Sequence, residues 1–140
     1  MKKCFFCDAI NLNDGQIIQQ SDNFIARFDD FPVNPGHLQI YPKKHIVSFF
    51  DLNEAEQTEM SALLHKVKKV VDVEFSPDAY NIGINDGREA GRTQDHLHLH
   101  LIPRYKKDVP NPEGGIRNIL PHKAEYISKA KSMRSRKEYV

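Results

Sequence analysis

The sequence predicts a mixed α+β domain in which an antiparallel sheet is covered on one face by one main helix, and three observations carry that expectation. The stretch His96-Leu97-His98-Leu99-His100-Leu101-Ile102-Pro103-Arg104 alternates at period two, the pattern of a strand with one apolar face. Met60, Leu63, Leu64, Val67, Val70 and Val71 recur at helical spacing. The remaining short apolar runs are bounded by turn residues, as the strands of hairpins are.

Taken in order, Cys4-Phe5-Phe6-Cys7 opens the chain and Asn11 to Gly15 is turn-like. Gln16 to Gln20 and Asn23 to Phe28 then read as the two strands of a hairpin. Asp29 to Gly36 is a loop, because Pro32, Pro35 and Gly36 within five residues hold neither a helix nor a central strand. His37 to Tyr41 is a strand ended by Pro42, with Lys43, Lys44 and His45 as a polar exit. Asn53 followed by Glu56 resembles a capping box and starts a helix over roughly residues 53 to 73, whose exit Pro77 marks. The apolar stripe of that helix is a core face, and His65 beside it is structural or solvated. Tyr80 to Asn85 is a strand, and the glycine-containing turn from Asn85 to Thr93 returns the chain antiparallel into the histidine strand. Pro110, Pro112, Gly114 and Gly115 make the next segment irregular, a short helix is expected over 123–131, and 132–140 is a basic, frayed tail.

The length of 140 residues fits one domain, 1–140, with no repeat and no dividing linker. A net charge of +1, with 28% charged and 39% hydrophobic residues, excludes a disordered chain and bulk attraction to nucleic acid. Met1-Lys2-Lys3 begins like a signal peptide, but Cys4, Asp8 and Asn11 interrupt any apolar run, and no segment reaches membrane-spanning length. Cytoplasmic location and the absence of a membrane partner are the expectations. Cys4 and Cys7, two residues apart, point in a reducing compartment to metal or redox chemistry, the plainer reading being two surface thiols without a role.

Alternation puts Leu97, Leu99 and Leu101 into a core and His96, His98 and His100 together on the opposite face. Imidazoles at neutral pH donate, accept, attack or ligate, so the row serves either a metal or a nucleophile. The preceding turn offers backbone N–H groups, the Asn85 amide, the Thr93 hydroxyl and the Arg92 guanidinium, with Arg104 at the strand end, and such donors suit phosphate oxygens. Phosphate beside imidazole suggests a histidine attacking phosphorus through a covalent phosphoramidate. Asp95, next to the first histidine and on the opposite face, would need a partner if that face is core.

The nine residues from His96 to Arg104 resemble the signature of the histidine-triad (HIT) superfamily of nucleotidyl hydrolases and transferases. Asp29, the Pro32 and Pro35-Gly36-His37 turn, the Pro42-Lys43-Lys44-His45 exit and Asn85-Asp86-Gly87 fall at the family's spacings, so the resemblance covers about residues 4 to 104. Asn111 to Arg117, within an irregular extension over 105–140, resembles bacterial members similar to dinucleoside-polyphosphate hydrolases. The resemblance implies a HIT-like fold, a five-stranded antiparallel sheet with one main helix and a short C-terminal helix, and a homodimer. It implies hydrolysis or transfer at the α-phosphate of nucleoside phosphoesters, dinucleoside polyphosphates or phosphoramidates, on a purine nucleotide and without a catalytic metal.

For the residues, it implies His98 as the nucleophile that becomes nucleotidylated, with His100, His96 and His37 completing the catalytic set. Asp29 would bond the ribose hydroxyls, and Asn85, Arg92, Thr93 and Arg104 would match or adjoin phosphate contacts. Arg92 departs from the family's glutamine, and its readings are tighter phosphate binding, a preference for longer polyphosphates, or a side chain directed elsewhere. Cys4, Cys7, His45 and His96 form a candidate Cys2His2 set for a structural zinc, positions at which some relatives place a metal. The rival readings are a zinc hydrolase using the triad as ligands and a nucleotide-binding signalling protein with slow turnover.

Overall fold

The computed structural model describes residues 3–121, so the helix expected over 123–131 and the tail over 132–140 lie outside the described residues. The chain divides into two compact units, Met1–Tyr105 and Lys106–Val140. The first holds α1 (Phe5–Ala9), β1 (Ile17–Gln20), β2 (Phe24–Phe28), β3 (Leu38–Pro42), α2 (Glu54–Phe75), β4 (Ala79–Ile84) and β5 (Leu99–Arg104), with short 3-10 turns at Phe49–Asp51 and Arg88–Ala90. In the second, the described residues include one 3-10 segment, Gly115–Ile119. No helix among the described residues is long and apolar enough to cross a membrane.

The five strands form one antiparallel sheet, as the resemblance implied, in the order β1-β2-β3-β5-β4. The helix start is set by Asn53, whose side-chain oxygen accepts from the Glu56 N–H at 2.8 Å. Glu56 completes a variant of the capping box by accepting from the Asn53 side-chain amide instead of its backbone N–H. At the other end Ser76 adopts a left-handed cap one residue before Pro77. Met60, Leu63, Val67 and Val71 on one face of α2 pack against Phe24, Ala26, Leu38, Ile40, Leu97, Leu99 and Leu101. Each of these buried side chains contributes about 1.5–3 kcal/mol, so this layer supplies most of the cohesion.

The opposite face of the sheet is also covered. Phe6 and Ala9 of α1 close over Ile25 of β2 and Tyr41 of β3 in a second, smaller cluster. Strand alternation therefore sends the leucines of the triad stretch toward α2 and its histidines toward α1. Two differences from the sequence reading stand out. The five-residue α1 was not foreseen, because it is too short to show a helical period. The histidine strand begins at Leu99 instead of His96, because the β3–β5 ladder ends at the Ile40–Leu99 pair although β3 continues to Pro42 alongside β2, so the run-in over His96 to His98 stands outside the ladder. The run-in is held instead by one bond from the Leu97 N–H to the Ile46 carbonyl, 2.7 Å.

Gly36, just before His37, has φ +86°, and a Cβ there would come within 3.0 Å of the Phe75 ring and 3.2 Å of Pro103. Gly36→Ala should destabilise the fold by about 2 kcal/mol through strain and overpacking, whereas Gly83→Ala, where a Cβ meets nothing within 4 Å, should change it by less than about 1 kcal/mol. Urea unfolding of the two variants checks this, and equal effects would count against it.

Candidate functional site

The site lies where β3 and β5 run side by side, with Gln39 paired to His100. His37 enters from the turn before β3, and His96 and His98 from the run-in to β5. Their burial is graded: His96 is 0% exposed, His37 4% and His98 8%, while His100 is intermediate.

Donor accounting fixes the proton on each ring. The His98 Nδ1 lies 2.9 Å from the His96 carbonyl, which only accepts, so Nδ1 carries the proton and Nε2 keeps its lone pair. The Val33 N–H donates to the His37 Nδ1 at 3.2 Å, so the His37 proton is on Nε2. That Nε2–H donates to the His100 Nδ1 at 2.9 Å, which leaves His100 with a free Nε2–H donor. The His96 Nε2 donates to the Pro42 carbonyl at 2.8 Å, leaving its Nδ1 lone pair turned toward the cysteines.

Electrostatics keep the rings neutral. Burial is the largest influence on each, and it lowers His37, His96 and His98 below the ordinary imidazole value and His100 to about 4. Asp29, with one carboxylate oxygen 3.5 Å from the His37 Nε2, opposes this at His37, but desolvation outweighs it. At His98 the nearby Arg92 charge acts in the same direction as burial. A neutral imidazole with its distal nitrogen unprotonated is the reactive form of a nucleophile.

The remaining expected residues fall into distinct places. Asp29 sits beside the histidines and accepts from the Phe31 N–H through its other oxygen at 2.8 Å. Asn85 and Thr93 are exposed at either end of the turn. The Arg92 guanidinium is already engaged, 3.6 Å from Asp86, 3.3 Å from Asp95 and 3.4 Å from the Val47 carbonyl, with Nε buried and unpaired. Asp95, exposed in the run-in, thus has its partner. Arg104 donates to Asn81 at 2.7 Å and lies four residues beyond His100 on the same strand, about 13 Å along the backbone.

At the other end of the run-in, the ligand atoms of Cys4, Cys7, His45 and His96 all lie within 4.8 Å of one another. The His96 Nδ1 is 3.3 Å from the Cys4 Sγ and 3.6 Å from the Cys7 Sγ, and the His45 Nδ1 is 3.3 Å from the Cys7 Sγ. The edges of a tetrahedron with metal–ligand bonds of about 2.0–2.3 Å span about 3.3–3.8 Å, so the four residues are placed to hold a metal ion. Asp29, His37 and His100 form a second group of ligand-type side chains, but the two histidines are already hydrogen-bonded to each other. One neighbour escaped the sequence reading: Phe6, 2% exposed, stacks on the His98 ring at 4.7 Å and 27°. Its position between Cys4 and Cys7 was the available signal.

The family model for the HIT domain matches residues 11–107. The chain is 42% identical over 77 residues to a bis(5′-nucleosyl)-tetraphosphatase [asymmetrical] of Schizosaccharomyces pombe, a match covering 55% of this chain and 42% of that protein, less than half of its length. It is 35% identical over 101 residues, 68% of each chain, to a bis(5′-adenosyl)-triphosphatase of Dictyostelium discoideum. The structure of a Zn-bound histidine triad family protein from Mycobacterium smegmatis is similar at 28% identity and TM-score 0.66, covering 92% of this chain and 96% of that one. With a single family match spanning the sheet, the main helix and the histidine cluster, the chain belongs to the HIT family.

Proposed function

We propose that the protein is a nucleotidyl hydrolase or transferase that attacks the α-phosphorus of a purine dinucleoside polyphosphate, or of a related phosphoester or phosphoramidate, with the Nε2 of His98. The observation that carries this reading is the Nδ1–H of His98 tied to the His96 carbonyl, which leaves Nε2 unprotonated on a neutral ring. The relatives named as tetraphosphatase and triphosphatase support the substrate class.

In the first step the Nε2–P bond forms and the bond to the leaving-group oxygen breaks, that oxygen keeping the electron pair. The His96 carbonyl stabilises the positive charge that develops on the ring, as a carboxylate does for the histidine of a serine hydrolase. The His100 Nε2–H, oriented by His37, whose other nitrogen accepts from the Val33 N–H, donates to phosphate oxygens. Water then attacks phosphorus, the Nε2–P bond breaks, a nucleoside monophosphate leaves and its proton balance is met by solvent. Asp29 accepts from ribose hydroxyls, Asn85 and Thr93 donate to phosphate, and Arg92 contributes positive charge from its carboxylate-bound position. Arg104 fastens β5 to β4 and takes no part at the reacting atoms.

Cys4, Cys7, His45 and His96, a closed set of two sulfurs and two nitrogens, would hold a structural zinc that would pin the N-terminus to the run-in. His96 faces this set through Nδ1, and His98 spends Nδ1 on a carbonyl, so the triad does not converge on one metal as a zinc hydrolase of that kind requires. The chain pairs as a homodimer, a reading supported by β4, an edge strand with Ile82 49% exposed.

Three outcomes follow. His98→Asn should bind adenosine 5′-monophosphate near normally yet hydrolyse diadenosine tetraphosphate at least about a thousandfold more slowly, and near-normal turnover would end the nucleophile assignment. Elemental analysis of chelator-free protein should give about one zinc per chain, lost when Cys4→Ser and Cys7→Ser are combined; metal-free wild type prepared with zinc present would refute the site. Because the folded-state value of His100 is lowered to about 4 from an unfolded value of about 6.5, the unfolded chain takes up its proton first. Stability is therefore full above pH 6.5 and falls as pH drops toward 4. Thermal melts across that window should show the fall, with a shallower slope in His100→Asn.

A further inference from the structure

We propose that Phe6 is a positioning residue for His98, and that metal binding to the cysteines on either side of it holds its ring against the nucleophile. The inference rests on the reading of His98 as nucleophile and goes beyond it, because it makes the metal cluster part of how the catalytic ring is aimed.

The hydrogen bond to the His96 carbonyl fixes one atom of the His98 ring. The plane of the ring needs a second constraint. Phe6 supplies it, lying nearly parallel over one face at 4.7 Å, while His100 meets the ring edge-on at 5.0 Å and 77°. Phe6 is in turn packed against Tyr41 at 4.7 Å and His96 at 5.4 Å.

The helix carrying Phe6 owes its place to tertiary contacts, with Phe6 and Ala9 packed on Ile25 and Tyr41 of the sheet. It has five residues, no side-chain cap at its N-terminus, and a length far below that of a self-supporting helix. What ties it to the run-in is the approach of Cys4 and Cys7 to His96 and His45. Both contacts that orient His98, the His96 carbonyl and the Phe6 ring, thus belong to elements that carry metal ligands. Occupancy of the cluster tightens both at once.

The test uses the full chain, labelled with 15N-histidine, as zinc-loaded wild type, chelated wild type and zinc-loaded Phe6→Leu, which keeps apolar volume but removes the flat ring. In loaded wild type the His98 signals should report a single tautomer with the proton on Nδ1. In Phe6→Leu, zinc should stay at about one per chain and KM for diadenosine tetraphosphate should be unchanged. Its kcat should fall roughly tenfold and the His98 signals should move toward a mixture of tautomers. Chelated wild type should show the same movement, and chelating Phe6→Leu should add little to it. Unaltered His98 signals and kcat in Phe6→Leu, or a second full-sized loss when it is chelated, would overturn the proposal. If Phe6→Leu does not fold, the chelated wild type decides by the same signals. A protein whose His98 signals respond as expected but which transfers no nucleotide would retain the positioning role and lose the nucleophile reading.

Discussion

The bond from the His98 Nδ1–H to the His96 carbonyl is the constraint on which the other features of the site depend. It forces the lone pair onto the outward nitrogen. It exists because the run-in to β5 has not yet entered the sheet ladder, so the His96 carbonyl is left for a side chain. The same logic continues one residue group further: the Pro42 carbonyl, where β3 ends, takes the His96 Nε2–H, and that choice turns the other nitrogen of His96 toward the two cysteines. Two carbonyl acceptors thus decide which nitrogen of His98 keeps its lone pair and which nitrogen of His96 faces the cysteines.

Burial gives these assignments their chemical force. Covering the sheet on both faces, by α2 and by α1, removes His96 and His98 from water and holds them neutral near pH 7. Burying polar rings is unfavourable unless their N–H groups are satisfied, and the His96, His98 and His37 N–H groups each meet an acceptor. His37 and His100 form a directional pair because the Val33 N–H has already claimed one nitrogen of His37. The desolvation that lowers the imidazoles and the hydrogen bonds that orient them therefore act together.

Much of this was legible in the sequence, for physical reasons. The period-two alternation of Leu97, Leu99 and Leu101 specified which side is core, and the spacing of Met60, Leu63, Val67 and Val71 specified the covering helix. Cys4 and Cys7 announced ligand chemistry by their spacing, and resemblance paired them with histidines at positions 45 and 96. What sequence reasoning could not reach needed geometry. The strand start moved to Leu99 because the Leu97 N–H bonds the Ile46 carbonyl instead of joining the ladder with β3, a non-local event. Phe6 looked like an ordinary apolar residue because its ring stacking depends on a one-turn helix with no periodic signal. That Arg92 lies between Asp86 and Asp95 could not be read from spacing alone, because the folded turn brings the two carboxylates around it.

On the proposed mechanism phosphorus is transferred twice, first to His98 and then to water. Each in-line displacement inverts the configuration at phosphorus. The most direct measurement is therefore hydrolysis, in 18O-labelled water, of a dinucleoside polyphosphate carrying a chiral α-phosphorothioate, with the configuration of the released nucleoside phosphorothioate determined afterwards. Two displacements through nucleotidyl-His98 predict overall retention. Overall inversion would mean that water attacks phosphorus directly, and would contradict the account.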